Sequence, residues 1–271
     1  MLYFKSKGGS YMVTRQEIQA TCDDIVREFA PLQIILFGSH AYGTPTEDSD
    51  VDLLVVMDIP KSEFLNKAIE IRQHISYRFG LDLLVRSPED IAYRVSYNDW
   101  FLREITEKGE LLHGSDAACN VKNLQFTHYG INLGEKGKDC MNPLTLEWIQ
   151  RGEADYITVQ QLLLAEDPLL YNIICFHAQQ CIEKYLKAWL QEANIPVLRT
   201  HNLEELLALI VPTFRDWFDW QPDFKIITKY AVEPRYPGDP GTVENTQHAS
   251  SICDEVRQAV RTQLKLAMPV D

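Results

Sequence analysis

The chain has 271 residues, room for two domains at ~150 residues each, and 45% of them are hydrophobic, enough for two cores. Its formal net charge of −13 is spread evenly, with 12 basic and 18 acidic residues up to position 115 and 14 and 21 beyond it, which excludes the clustered Lys and Arg on which sequence-independent binding of long nucleic acid rests. No apolar run approaches the ~20 residues a bilayer span needs, and the opening stretch MLYFKSKGGSYM has no signal-peptide apolar region, so a soluble, cytoplasmic protein with no membrane partner is expected.

Thr14-Arg15-Gln16-Glu17 is a capping-box pattern, and apolar residues recur at Ile18, Cys22, Ile25 and Val26, which predicts a first helix to about Phe29. Pro31 stops it. Gln33 to Phe37 is a short buried strand, Gly38 to Asp50 a loop with one helical turn, and Val51 to Met57 a second strand. Lys61 to Phe79 fits a helix with Phe64, Leu65, Ala68, Ile71, Ile75 and Phe79 on one face, closed by Gly80. Leu81 to Val85 is a third strand, read as central in the sheet. Ser87 and Pro88 open a further helix as N-cap and first helical residue, and another near Trp100 to Lys108 leads into Glu110 to His113.

After Gly114 the periodicity breaks, and residues 115–142 read as a linker in which Leu124 to Tyr129 could form a short strand. From Pro143 the pattern is helical only. Helices are expected over Leu144 to Ala165, Leu169 to Glu192, from a Thr200 cap to Ile210, in a short piece after Pro222, and over Glu244 to Met268. The domain plan is therefore 14–114, an α/β unit with a mixed sheet, a linker over 115–142, and an all-α helical bundle over 143–268. The six cysteines are scattered without a CxxC pair, which reads as reduced, packed thiols and not as a zinc site.

Chemistry concentrates in Phe37-Gly38-Ser39-His40-Ala41-Tyr42-Gly43-Thr44-Pro45-Thr46-Glu47-Asp48-Ser49-Asp50-Val51-Asp52. A strand ends at a glycine, whose missing side chain lets backbone amides approach a phosphate. Ser39 adds a hydroxyl and can cap the helical turn that follows. Asp50 and Asp52, two apart at the start of a strand, share a face, and like charges side by side repel unless a cation is bound. Magnesium favours such a set: a few carboxylates plus substrate phosphates. Asp82, alone among Leu81, Leu83 and Leu84, is the natural third carboxylate. His40 and Tyr42 read as packing or surface residues, and Arg86 as a mostly solvated side chain that could reach a phosphate.

Gly38-Ser39 followed after ten residues by Asp50-x-Asp52, with Asp82 on a later strand, resembles the signature of the polymerase-beta-type nucleotidyltransferase superfamily and the compact layout of its minimal branch. The resemblance implies the nucleotidyltransferase fold and two magnesium ions ~3.5–4 Å apart. Asp50 and Asp52 would hold the ion of the nucleotide, and together with Asp82 a second ion that activates the acceptor hydroxyl. Gly38 and Ser39 would hold the β- and γ-phosphates and Asp82 would act as general base. The substrate implied is a nucleoside triphosphate, ATP before others, with AMP passed to a protein or small-molecule hydroxyl.

The helical half carries Glu147 to Tyr156, His177-Ala178-Gln179-Gln180-Cys181-Ile182-Glu183-Lys184-Tyr185-Leu186-Lys187-Ala188, Thr200-His201-Asn202-Leu203 and Tyr230 to Pro237, a set that resembles the HEPN family. Ala178, Cys181, Ile182, Tyr185, Leu186 and Trp189 form a core face by spacing, while Lys184 and Lys187 read as solvated. Many HEPN proteins are RNases with an Arg followed by His after four to six residues. Arg199-x-His201 is too close and Arg235 to His248 too far, so His177 and His201 read as structural or substrate-contacting and not as nuclease residues. The resemblance implies a half that completes an acceptor or nucleotide pocket or mediates a homodimer. It also implies a toxin–antitoxin-like setting, in which the transferase adenylylates a tyrosine of its HEPN partner. In a fused chain, Tyr230 and Tyr236 are candidate acceptors. The competing readings are a non-catalytic nucleotide-binding protein and a HEPN-type RNase.

Overall fold

Helix α1 (Arg15–Phe29) opens on the capping box expected from its sequence: the Thr14 hydroxyl accepts from the Glu17 amide, and the Glu17 carboxylate accepts from the Thr14 amide at 2.9 Å. A cap of this kind contributes ~1 kcal/mol. In this computed structural model the described residues are 12–114, 141–231 and 241–266, and they fall into two compact units, one ending at Gly114 and one starting at Met141.

Among its described residues the first unit holds a four-stranded mixed sheet in the order β3-β2-β1-β4. Strand β1 (Gln33–Phe37) pairs antiparallel with both β2 (Val51–Val56) and β4 (Glu110–His113), and β2 pairs parallel with β3 (Leu81–Arg86). A parallel pair needs a crossover, supplied here by helix α3 (Phe64–His74). Strand alternation then divides the apolar residues between two faces. Ile34, Leu36, Val51, Leu53, Val55, Leu83 and Val85 pack with α1 and α3. Ile35, Phe37, Leu54 and Val56 pack with α4 (Pro88–Ser96) and α5 (Trp100–Lys108) on the other face.

Three expectations for this unit need correction. Helix α3 ends at His74, not Phe79, because Ile75 turns extended and buries its side chain in the same core as Ile71. Leu65, assigned to the buried face, is 72% exposed. Among the described strands β3 also lies at the sheet edge and not in its centre.

The second unit consists, among its described residues, of helices and turns alone. Helices α6 (Pro143–Leu163), α7 (Tyr171–Glu192) and α10 (Val243–Gln263) bury a shared core in which Tyr185, Leu186 and Ile182 are fully enclosed. Helix α8 (Leu203–Ile210) is capped by Asn202, whose carbonyl accepts from the Glu204 amide, whereas Thr200, the expected cap, accepts from the Asn202 amide one step earlier. Helix α9 (Gln221–Ile227) completes the set. Cys22, Cys175, Cys181 and Cys253 are free and buried. The suggested strand at Leu124 to Tyr129, like Cys119, Cys140 and Tyr236, lies outside the described residues. Among the described residues no helix is long and apolar enough to cross a membrane.

Candidate active site

The turn after β1 is set by Gly38, which has φ +70° and ψ −157° and stands at the start of α2 (Ser39–Tyr42). Two constraints select glycine here. The left-handed φ strains any side chain, and a β-carbon at this position would stand 2.1 Å from Asp52 Oδ2. Ser39 is the first helical residue, not the cap, since Gly38 occupies that place without a side-chain bond. The Gly38 carbonyl accepts from the Ala41 and Tyr42 amides, and the Ser39 carbonyl from Thr44 at 3.0 Å.

The loop from α2 to β2 is tied down by a turn in which the Ser49 hydroxyl accepts from the Thr46 amide at 2.8 Å. His40 Nε2 lies 3.3 Å from the Ser49 carbonyl oxygen, which gives this histidine a packing role. These contacts deliver Asp50 to the head of β2. Its carboxylate covers Gly80, where a β-carbon would fall 1.6 Å from Asp50 Oδ1, and the Val51 amide donates to the Gly80 carbonyl at 2.8 Å.

Register brings the remaining residues together. Phe37 is the partner of Asp52 across β1 and β2, and Asp52 is the partner of Asp82 across β2 and β3. Adjacent strands lie ~4.8 Å apart, and residues in register point to the same face. Phe37, Asp52 and Asp82 therefore form one row across three strands, at the end of the face that α4 and α5 cover. Phe37 anchors it by packing edge-on against Phe101 at 5.6 Å. Asp52 is half-buried and Asp50 and Asp82 are exposed.

Asp82 is not an awkward buried carboxylate, because β3 is an edge strand and its side chain is 62% exposed. It already has a partner: Arg72 Nη2 donates to Asp82 Oδ1 at 3.2 Å. Arg72 is the site residue that sequence reasoning misses. Ten positions separate the pair, and no helix or strand period links them. Arg86, in contrast, is no part of this row. It sits at the other end of β3, half-buried over the Phe64 ring at 5.4 Å and 3.3 Å from Asp90 Oδ2.

The residues fit a hard divalent cation in kind and in backbone placement. Asp50, Asp52 and Asp82 supply carboxylate oxygens from neighbouring strand positions, and the missing side chain of Gly38 makes room for the Asp52 carboxylate. The carboxylates themselves stand apart, directed at Gly80, Gly38 and Arg72. Among the described residues no three His, Cys, Asp or Glu side chains are grouped closely enough to hold an ion.

In the helical unit the polar residues of α7 form a buried network. His177 Nδ1 lies 2.8 Å from Asp155 Oδ1, and Lys184 donates to the same carboxylate. Lys187 donates to Glu183 at 2.8 Å and to the Thr200 carbonyl at 2.9 Å, and His201 Nδ1 lies 3.0 Å from Glu183 Oε2. The expectation that Lys184 and Lys187 are solvated is thus corrected: Lys187 is 6% exposed and Lys184 is half-buried. Burial opposes ionisation of Glu183, but Lys187, His201 and Gln179 outweigh it and hold its carboxyl below the ordinary glutamate range. A second cluster joins Glu153 to Arg257 through two bonds of 2.9 and 3.0 Å, to Arg261 at 2.8 Å and to the Tyr185 hydroxyl.

Comparison with known proteins is consistent across both units. The family model described as nucleotidyltransferase domain matches residues 20–113, and that described as HEPN domain matches residues 145–263. "Putative protein adenylyltransferase MJ0604" of Methanocaldococcus jannaschii is 31% identical over 81 residues, which are 30% of this chain and 77% of that protein. "Putative protein adenylyltransferase MJ1305" of the same organism is 37% identical over 68 residues, 23% of this chain and 46% of its own length, so the chain spans less than half of this second relative. Among solved structures, ST0689, an archaeal HEPN homologue, aligns at 23% identity and a TM-score of 0.36, covering 44% of this chain and 97% of that one.

Proposed function

We propose, on the premise that this chain belongs to the nucleotidyltransferase family and carries a HEPN domain after its transferase domain, that it moves AMP from ATP onto a protein hydroxyl in a magnesium-dependent reaction. The observation that carries the reading is the Asp52–Asp82 register pair with Gly38 set against the Asp52 carboxylate. In this reading Asp50, Asp52 and Asp82 are the cation-holding carboxylates, and Gly38 and Ser39 receive the β- and γ-phosphates. The domains are taken as 14–114 and 143–268, joined by a 115–142 linker.

The bound cations would supply charge neutralisation on the triphosphate and a lowered pKa for the acceptor hydroxyl. The chain's own residues supply the rest. Gly38 offers backbone without a side chain, so phosphate oxygens can approach. The acceptor oxygen forms a bond to the α-phosphorus while the bond to the α–β bridging oxygen breaks and pyrophosphate leaves. The acceptor proton passes to the carboxylate of Asp82, the member of the row with open access to solvent.

A protein acceptor is favoured by the names of both Methanocaldococcus relatives, and a small-molecule hydroxyl is the alternative. Within the chain Tyr230 is a candidate acceptor, although its hydroxyl oxygen already accepts from Asn245 at 3.0 Å, and Tyr236 is another. A toxin–antitoxin-like, cytoplasmic setting and a homodimer formed through the helical half belong to the same proposal. A non-catalytic nucleotide-binding role is the second reading, favoured by the engagement of Asp82 with Arg72. Pyrophosphate release separates the two. With magnesium and ATP the wild-type chain releases it in the presence of acceptor and Asp52→Asn does not, whereas a binding module releases none.

A further inference from the structure

We propose that Arg72 is the resident counter-charge of Asp82, and that a divalent cation must displace it, so that Arg72 sets the cation concentration at which the site loads. The inference rests on the reading of Asp50, Asp52 and Asp82 as cation-holding carboxylates. It assigns Arg72 as a positioning residue that acts through Asp82.

Asp52 and Asp82 are direct partners on adjacent parallel strands, so two carboxylates of like charge occupy neighbouring positions on one face. Arg72 belongs to α3, which covers the opposite face of the sheet with Ile71 and Ile75 in its core. Asp82 alternates with Leu81 and Leu83, which face α3, and so points to the other side. The ion pair is possible because β3 is the edge strand, round which the long arginine side chain can reach.

The same geometry makes the contact exchangeable. Arg72 and Asp82 meet through one nitrogen at 3.2 Å instead of the two-bond fork of a strong arginine–carboxylate pair. Their side chains are 37% and 62% exposed, so water and salt screen the attraction. Arg72 Nε is buried and lacks a hydrogen-bond partner, so half of the guanidinium's donor fork goes unused in this arrangement. The backbone, by contrast, is fixed: the buried Ile71 and Ile75 hold the last turn of α3 in place. A weak, single-point cation held at a defined spot beside a carboxylate is what a small, doubly charged ion can replace.

The test is manganese binding to the full chain without nucleotide, followed by electron paramagnetic resonance of the free ion. Arg72→Gln removes the competing charge and binds manganese up to about fivefold more tightly, the ceiling expected for loss of an exposed ion pair. Arg72→Met, which keeps the apolar stem, does the same if glutamine perturbs folding. Arg72→Lys keeps a charge and stays near the wild-type affinity. In an Asp82→Asn background, Arg72→Gln produces no gain. Equal or weaker manganese binding by Arg72→Gln and Arg72→Met, with the wild type binding normally, overturns the role of Arg72 alone. Absence of manganese binding in the wild type and all variants overturns the carboxylate reading and this inference with it.

Discussion

The Asp52 carboxylate lies against the α-carbon of Gly38, so close that a β-carbon would meet Asp52 Oδ2 at 2.1 Å. Strand β1 is thus followed by a residue that leaves room for the carboxylate β2 presents at that register. Gly38→Ala meets two penalties at once, the left-handed φ of +70° and the displacement of Asp52. The expected cost is about 1–3 kcal/mol of stability, read by urea denaturation, together with loss of nucleotidyl transfer. A variant with wild-type stability and activity would show that the turn relaxes freely.

Glu153 meets two buried arginines, Arg257 and Arg261, whose side chains are 7% and 9% exposed respectively. Glu153→Ala removes a carboxylate that both buried guanidinium groups meet and is expected to destabilise the helical unit by about 3–5 kcal/mol. Arg257 also stacks over the Tyr156 ring at 4.0 Å, so Arg257→Ala loses packing as well as charge. Differential scanning calorimetry of the full chain reads both, in the transition that belongs to the helical unit.

Glu183 and Glu153 both have carboxyl pKa values held below the ordinary range, by Lys187 and Arg257 respectively, against the opposing effect of burial. A depressed pKa contributes stability that is present above the unfolded value of ~4.3 and lost as pH falls through the folded one. The melting temperature of the helical unit is therefore expected to hold above pH 5 and to drop as the pH is lowered beneath ~4. Glu183→Gln starts lower and loses less over the same range. Parallel curves for wild type and variant would contradict the assignment.

The strands and helices of the first unit are legible because their signals are local. The Thr14–Glu17 capping box, the buried run Gln33 to Phe37 and Ser87-Pro88 each act within a few residues. The nucleotidyltransferase signature is legible for a similar reason, since Gly38, Ser39, Asp50 and Asp52 are close along the chain. What was not legible depends on the tertiary arrangement. Sheet order puts β3 at the edge, exposes Asp82 and lets Arg72 reach it. Burial of Ile75 ends α3 at His74 although the apolar spacing continues to Phe79. Lys187 looks like a solvated helix residue until Glu183 and the Thr200 carbonyl close around it.

The central claim is that the carboxylates of the first unit serve nucleotidyl transfer. Its most direct measurement is incubation of the purified chain with magnesium and α-labelled ATP, with and without a protein acceptor, beside an Asp50→Ala/Asp52→Ala variant. The account predicts label on protein and release of pyrophosphate in the wild type, with neither in the variant. Label that persists undiminished in the double variant, or no label and no pyrophosphate from the wild type under any acceptor condition, would contradict it.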